Sequence, residues 1–347
     1  QSLDGVENTP AYRGLAYVVF EDFPLEDFGN RIPNFTFEVQ KKAQYPDFDG
    51  ELLEYVIKGM SIIPGAGEYV YDTQVEYKIP GYDSGAGWQQ QGEQVAINMH
   101  NPNGVANAML ALDQLERTCP NVEWISVVVS WFGDSLDAGD CIIQPGVEYQ
   151  SGAITSPGTW QVGTYDRATA RQITLVSGSP QYGGTPDDSS LIRFLDELKG
   201  RGYNIMFYPM IFMDVEGKPW RGDITSSASE VADFFTKTNG YNAFINHYAN
   251  LVDGKVDAFV IGSELKGLTK ISDTPGGYPA VEELVNLAGA VKGILGSDVK
   301  VTYAADWSEY HHTDDGWYNM DPLWASPDID VIGIDAYFPL SDAPQGK

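Results

Sequence analysis

The chain has 347 residues, 43% of them hydrophobic, which is enough for a large α/β domain with a full core. Acidic residues outnumber basic ones 49 to 21, and the net charge of -28 argues against nucleic acid or an anionic membrane as main partner, because phosphate binding needs clustered Lys and Arg. The sequence contains no run of 18 or more apolar residues, so no membrane span is predicted, and it shows no signal peptide.

Residues 1–95 are predicted to form a β-rich segment. LAYVVFEDFPL and NFTFEVQ alternate aromatic or β-branched residues with polar ones, and GEYVYDTQVEYKI repeats this pattern. Residues 80–94, PGYDSGAGWQQQGEQ, are rich in Gly and Gln and predict a loop or linker. We therefore place a domain boundary near residue 95.

From residue 96 onward, the pattern changes to alternating helices and strands. A helix capped by Asn103 precedes the apolar strand WISVVVSWFGD. RQITLV is a weaker candidate for the second strand. A helix with Thr185 as its N-cap then leads to the strand YNIMFYPMIFMDV.

The alternation continues toward the end of the sequence. Helices predicted at about 228–238 and 241–252 lead to DAFVIGSE, and a helix beginning at Pro279 leads to VKVTYAADWSEY. A short helical stretch then leads to IDVIGIDAYFP. Six buried strands separated by helices predict right-handed crossovers and a parallel sheet.

Polar and aromatic residues follow strand after strand, whereas a doubly wound sheet would concentrate its site at one switch point. This recurrence favours a TIM (β/α)8 barrel in the α/β class. Six strands do not close such a barrel, so we expect the last two strands to be missing or to belong to a continuation of the chain. The predicted barrel domain covers residues 96–347.

Glu264 is the first candidate for chemistry. It follows the apolar run Ala258 to Gly262, so in a barrel its carboxylate would emerge at the mouth, where the apolar strand behind it would raise its pKa. A raised pKa suits a general acid that protonates a departing sugar oxygen. The alternative is that Glu264 only forms an ion pair, for example with Lys266.

Residues at the neighbouring strand ends and in the loops suit a sugar ligand. Flat aromatic rings fit the C–H faces of sugars, and charged side chains can hydrogen-bond hydroxyls. For each of these residues, core packing, capping or ion pairing is an equal alternative. The candidates for substrate binding are Trp131, Asp214, Trp220, Arg221, Asp306, Trp307, Asp335 and Tyr337.

Other chemistries have less support in the sequence. It contains no GxxxxGK[ST] phosphate loop, no GxGxxG after a strand and no GxSxG elbow. The four histidines lack HxH or HExxH spacing, so no metal and no cofactor are predicted. Cys119 and Cys141 have no metal-ligand spacing, and either free thiols or one disulfide remains open.

Ordered motifs along nearly the whole chain resemble a known family. YRGLAYVVFEDFPLEDFGNRIPNFTFEV is similar to a segment of phage and gene-transfer-agent tail hub proteins, which belong to the baseplate. VVVSWFGD, YGGTPDDSS, PWRGDIT, HYANLV, DAFVIGSELKGLT, YPAVEELV, YAADWSEY and DPLWASPDIDVIGIDAYFPLSD resemble, in order, the gene transfer agent TIM-barrel-like domain of those proteins.

That domain is in turn similar to retaining glycoside hydrolases of clan A, which carry an acid/base Glu at the end of the fourth strand and a nucleophile Glu at the end of the seventh. With RQITLV counted as the second strand, Glu264 matches the acid/base. Ser263 stands where many clan members have Asn, so the same contact to a substrate 2-hydroxyl is not implied. The nucleophile is expected beyond Lys347.

Two functions follow from this resemblance. The first is a tail hub protein in a virion or phage-like particle, with homo-oligomeric (trimeric) and baseplate partners, whose barrel hydrolyses a cell-envelope or capsular glycan. The second is a structural or polysaccharide-binding baseplate domain without catalysis. Both remain possible, because one fold hosts many functions.

Overall fold

A parallel sheet of six strands organises the structure, a computed structural model that describes residues 52–65, 67–83, 88–151 and 153–339. Each strand pairs in parallel with the next one along the chain. This order and direction are those of six consecutive strands of a (β/α)8 barrel. The strands are β1 Gly59–Gly65, β2 Trp124–Gly133, β3 Asn204–Met213, β4 Ala258–Ser263, β5 Lys300–Asp306 and β6 Gly333–Asp335.

Helices occupy the connections between these strands. The predicted helices near 228–238 and 241–252 and from Pro279 are confirmed as α4 (Val231–Thr236), α5 (Tyr241–Leu251) and α7 (Pro279–Leu295). Two single 3-10 turns, Arg221–Asp223 and Ala228–Glu230, lie between β3 and α4. The helices of the described residues are α1 Leu53–Val56, α2 Asn107–Thr118, α3 Asp188–Gly200, α4 Val231–Thr236, α5 Tyr241–Leu251, α6 Lys266–Thr269, α7 Pro279–Leu295 and α8 Asp321–Trp324.

The first two strands of the sheet differ from the sequence prediction. RQITLV is not a sheet strand: Arg171–Gln172 pairs with Gly146–Val147, and Leu175–Val176 forms a hairpin with Ser179–Pro180. The first strand is instead β1, whose sequence GMSIIPG has a proline and too few apolar residues to stand out. Because one strand is lost and another gained ahead of it, β4 is still the fourth.

The segment before residue 95 contributes the strand β1 to the parallel sheet and two strands to a separate antiparallel sheet. Four strands, Tyr77–Asp83, Trp88–Gln90, Val95–Ala96 and Ala153–Ser156, form an antiparallel sheet. Residues 80–94, predicted as a loop, therefore include parts of two strands that pair in antiparallel orientation. The boundary predicted near residue 95 falls after β1, which belongs to the parallel sheet, and the predicted strands LAYVVFEDFPL and NFTFEVQ lie outside the described residues.

Two helix caps also differ from the prediction. Helix α2 begins after Ala106 and not at Asn103. Helix α3 begins after Asp187, whose carboxylate accepts a bond from the Ser190 N–H at 2.8 Å. Thr185 does not cap α3, because its hydroxyl donates to the Ser130 carbonyl at 2.9 Å and so ties the loop to β2.

The two faces of the parallel sheet are both buried. Side chains alternate between the faces of a strand, so neighbours in sequence enter different clusters. One face carries Val128, Tyr208, Val260 and Ala304, which pack together. The other face packs against the helices in the main core.

Two further findings bear on the functional classes considered above. Across the ranges that the structure describes, no helix combines the length and apolarity that a bilayer crossing requires. Cys119 and Cys141 are buried free thiols.

The end of β4 is shaped by a β-bulge. Val260 pairs with Thr302 and Ser263 pairs with Ala304, so β4 has one more residue than β5 over this stretch. The alternation of faces therefore shifts, and Ser263 turns its hydroxyl toward Tyr208, 2.8 Å away. The bulge re-aims the residues that lead into Glu264.

Gly262 allows this bulge to pack. A Cβ at this position would lie 2.7 Å from the Tyr241 hydroxyl and 3.0 Å from the Tyr303 ring. Both tyrosines are fully buried, so neither ring can move aside without disturbing the core. A side chain at residue 262 would push β4 away from its neighbours.

We predict that Gly262→Ala lowers the free energy of unfolding by about 1–3 kcal/mol, the usual effect of overpacking. Gly293→Ala is the matched control, because Gly293 is an exposed residue of α7 with no atom within 4 Å of the added carbon. The control should raise stability by roughly 0.5–1 kcal/mol. Urea unfolding of both variants measures the difference, and equal stabilities would contradict the packing role of Gly262.

Candidate active site

Glu264 follows β4 directly and has an unusual main-chain conformation. Its φ angle is 51°, in the left-handed region that residues other than Gly rarely adopt. Its N–H donates to the Ala304 carbonyl on β5 at 2.9 Å, and the residue is 6% exposed. Strained main chain of this kind concentrates at functional sites.

A buried carboxylate holds the turn after Glu264 in place. The Leu265 N–H donates to the Tyr303 hydroxyl at 2.7 Å, and that hydroxyl donates to Glu309 at 3.0 Å. Glu309 also accepts bonds from the Thr269 hydroxyl at 2.6 Å and the Asp306 N–H at 3.0 Å. Glu309 thus links β5, α6 and the turn that presents Glu264.

The Glu264 carboxylate contacts two consecutive residues from the connection after β3. Trp220 Nε1 donates to Oε2 at 2.6 Å, and Arg221 Nη2 lies 2.8 Å from the same oxygen. Arg221 also donates to the carbonyl oxygen of Ser263 at 3.0 Å and to its Oγ at 2.7 Å. Because both donors face Oε2, a proton on Glu264 would sit on Oε1.

Asp335, the last residue of β6, extends this network. Its Oδ2 accepts a bond from the Tyr208 hydroxyl at 2.7 Å and lies 3.3 Å from Ser263 Oγ. Asp335 also lies close enough to Glu264 for its charge to act on that carboxyl. Residues from β3, β4 and β6 and from the connection after β3 therefore meet at the carboxyl end of the sheet.

Opposing effects act on the protonation of Glu264. Burial raises its pKa most, and the charge of Asp335 raises it further. The Arg221 guanidinium and the Trp220 N–H act in the opposite direction, but the net pKa is still above that of an ordinary Glu. The site therefore favours a neutral carboxylic acid more than solvent does, as a general acid requires.

Three other predicted residues lie at the same end of the sheet without joining this network. Asp306 ends β5, and its carboxylate accepts a bond from the Ser308 N–H at 2.9 Å. Trp307 is half-buried, with its ring centroid 6.2 Å from that of Phe338. Tyr337 is 73% exposed, two residues after β6.

The prediction that Trp131 lines the cleft does not fit its position. Its side chain lies on the helix face of β2 and is only 4% exposed. The indole N–H donates to the Tyr248 hydroxyl at 3.1 Å, and the ring packs 5.4 Å from that of Phe244. Trp131 is a core residue because the alternation along β2 turns it toward α5.

The carboxylate of Asp214 also bonds to residues outside the Glu264 network. Its fully buried carboxylate accepts bonds from Arg171 Nε at 2.8 Å and Gln181 Nε2 at 2.6 Å, and from the Thr174 N–H at 3.2 Å. These partners all belong to the long connection between β2 and α3. Asp214 therefore anchors that connection to the end of β3 instead of facing Glu264.

Two residues of the site are absent from the sequence prediction. Tyr208 sits inside an apolar strand, where its hydroxyl carries no obvious signal. Glu309 could be found from its spacing, since Asp306 and Glu309 form a D-x-x-E pattern of the capping-box type in which the Glu side chain bonds back to the Asp N–H. Within the residues that the structure describes, no group of three His, Cys, Asp or Glu side chains is placed to hold a metal.

Comparison with known families gives one match to part of the chain. Residues 239–347 match the family described as "GTA TIM-barrel-like domain". This segment contains β4 to β6 with Glu264 and Asp335, whereas Trp220 and Arg221 precede it. No curated protein sequence matches the chain.

Solved structures of glycoside hydrolases show low similarity. A GH113 β-1,4-mannanase is 17% identical over 67% of this chain and 57% of that chain, with a TM-score of 0.39. A complex of a GH113 β-1,4-mannanase is 17% identical over 79% and 64%, with a TM-score of 0.44. A GH113 β-mannanase from Alicyclobacillus acidocaldarius is 13% identical over 63% and 52%, with a TM-score of 0.37. The chain thus spans 52–64% of these proteins.

We predict that Asp335→Asn lowers the pKa of Glu264, because the substitution removes the negative charge through which Asp335 raises it. Carboxyl chemical shifts of isotopically labelled Glu, followed by NMR during a pH titration, measure this pKa. The control Asp314→Asn makes the same change in net charge at an exposed loop residue. A Glu264 pKa that moves equally in both variants would contradict the contact.

We also predict a pH dependence of stability from Glu309. Burial raises its pKa from 4.5 to about 7, so between these pH values the folded protein holds a proton that the unfolded chain has lost. The contribution to stability is therefore full below pH 4.5 and is lost as pH rises through about 7. Glu309→Gln should flatten this slope in urea unfolding across that range.

The control for Glu309 is Glu216→Gln, which removes an exposed carboxyl. It should leave the slope of the unfolding free energy against pH close to that of the parent protein. A parent-like slope in Glu309→Gln would show that this carboxyl does not titrate in the range.

Proposed function

We propose that the chain is part of a phage or gene-transfer-agent tail hub protein whose barrel hydrolyses a cell-envelope or capsular glycan. The observation that carries the enzymatic part is the buried Glu264 at the end of the fourth strand, held by Trp220 and Arg221 with its pKa raised. The tail role rests on the resemblance of the sequence motifs to tail hub proteins.

In this proposal Glu264 donates its proton to the glycosidic oxygen as the bond from that oxygen to the anomeric carbon breaks. A nucleophilic carboxylate then forms the glycosyl-enzyme, and Glu264, now ionised, takes a proton from the water that hydrolyses it. Arg221 and Trp220 would stabilise the ionised form between the two steps.

The two carboxylates of a retaining enzyme lie about 5 Å apart. Asp335 ends the sixth strand and not the seventh, and its Oδ2 already accepts a bond from the Tyr208 hydroxyl. We assign Asp335 to raising the pKa of the acid. The nucleophile is proposed to lie on a seventh strand beyond Lys347.

Three of the predicted aromatic residues are proposed as contacts to the sugar. Trp220 is 37% exposed beside the acid, so one part of its ring can stack on a sugar. Trp307 and Tyr337, at the ends of the next two strands, are proposed as further rings for stacking on sugars. A half-exposed ring next to a buried acid is the arrangement expected of a glycan cleft.

A second function, glycan binding without hydrolysis in a structural baseplate domain, is favoured by the Arg221–Glu264 ion pair. The two side chains are only 12% and 9% exposed, and the guanidinium stabilises the ionised carboxylate. An acid that remains ionised cannot protonate a leaving group.

Hydrolysis decides between these functions. We predict that the protein, extended through any strands that follow Lys347, releases reducing ends from at least one glycan in a panel of β-glycans, capsular polysaccharide and peptidoglycan. Glu264→Gln should reduce the rate by roughly 10²–10⁴-fold, because the amide cannot donate the proton.

Asp314→Asn serves as the control and should keep the parent rate. Equal release by the parent and Glu264→Gln would remove Glu264 from the mechanism. Binding of a glycan with no release by either protein would favour the non-enzymatic function.

A further inference from the structure

A separate cavity lies at the carboxyl end of the first two sheet strands. Its volume is about 460 Å³, within the range of roughly 300–1,000 Å³ typical of small-molecule sites. Residues 67–70, directly after β1, form one wall, and Glu148 and Tyr149, from the connection after β2, form another. Lys78, from the antiparallel sheet, also lines it. None of these residues belongs to the Glu264 network.

Much of the polar lining is already satisfied and fixes the shape of the cavity. Glu68 and Arg167 form a two-pronged ion pair, with N–O distances of 2.9 and 2.5 Å. The Tyr69 hydroxyl lies 2.8 Å from Thr155 Oγ1, which itself donates to the Gly158 carbonyl. Tyr69 is therefore the donor in that bond, and these groups have little left to offer a ligand.

Three other polar groups keep hydrogen-bonding capacity. The Lys78 ammonium lies over the face of the Tyr149 ring, 4.9 Å from its centroid. Burial raises the pKa of the Glu148 carboxyl, whereas the charge of nearby Lys78 and the Gly184 N–H lower it. The Asn107 amide donates to His100 Nδ1 at 2.7 Å, so the His100 proton is on Nε2 and is available.

The chemistry of these free groups indicates the kind of ligand. One cation, one carboxylate and one neutral imidazole supply donors and acceptors without net charge, and hydroxyl groups can satisfy both. The rings of Tyr69 and Tyr149 add apolar wall for C–H faces. An acidic ligand is disfavoured, because the net charge of -28 repels anions at long range.

We propose that this cavity binds a neutral saccharide unit, as a second glycan site distinct from Glu264. The proposal rests on the proposed function for its ligand class, since it assumes that the protein meets a glycan. It deepens that function by assigning recognition of an uncharged sugar to Lys78, Glu148 and His100 at the ends of β1 and β2.

Binding without hydrolysis tests this proposal. Cellopentaose, mannopentaose and chitopentaose are titrated calorimetrically into the Glu264→Gln protein, beside an oligogalacturonate as an acidic probe. At least one neutral probe should bind more tightly than the acidic one. Adding Lys78→Met and Glu148→Gln should weaken it roughly tenfold or more, as loss of two charge-assisted hydrogen bonds implies.

The matched control adds Lys58→Met and Glu216→Gln to the Glu264→Gln protein, an equal change in charge at exposed side chains. Its Kd should stay at the Glu264→Gln value. The proposal is overturned if no neutral probe binds, if the acidic probe binds more tightly, or if the cavity and control variants bind equally.

A second measurement keeps the test valid if the cavity variant fails to fold. The chain has only four histidines, so the ring signals of His100 can be assigned by NMR with His100→Gln. Those signals should shift when the bound probe is added to the Glu264→Gln protein, and unchanged signals would overturn the proposal. Binding at His100, with no hydrolysis of any glycan in the panel by the extended parent protein, would overturn the enzymatic function and leave this site standing.

Discussion

The contact of Arg221 and Trp220 with one oxygen of Glu264 is the interaction on which the candidate site depends. Burying a carboxylate is unfavourable unless hydrogen bonds and an opposite charge replace its hydration. Arg221 and Trp220 supply that replacement, and Arg221 also ties the end of β4 to the connection after β3. The same contacts favour the ionised form, so the acid depends on burial and on Asp335 to stay above its ordinary pKa.

Much of the fold could be predicted because apolar β-branched runs and amphipathic helices repeat along the chain. β2 to β6 and α4, α5 and α7 follow such patterns. β1 could not be recognised, since GMSIIPG lacks both length and alternation and owes its place to pairing with β2. RQITLV has the composition of a strand and is therefore predicted as one. Its residues instead form two short pairings within the connection between β2 and α3.

The candidate site could be predicted only in part. Glu264 was accessible to sequence reasoning because a charged residue directly follows a buried strand. The network around it was not, since a bulge in β4 changes which side chains face Tyr208, and no local pattern encodes that shift. Trp131 and Asp214 are predicted at the site only because they lie near strand ends. The alternation of side chains along β2 turns Trp131 into the core, and the bond from Arg171 makes Asp214 the anchor of a loop.

The left-handed main chain at Glu264 sets a conflict between stability and activity. This conformation costs a residue with a Cβ roughly 1–2 kcal/mol, whereas Gly and Asn adopt it with less penalty. Relatives that no longer needed an acid there would gain stability by replacing it with one of these residues. Retention of glutamate at this position across relatives would therefore record continuing selection for its chemistry, and glycine or asparagine would mark lineages in which the barrel had become a scaffold.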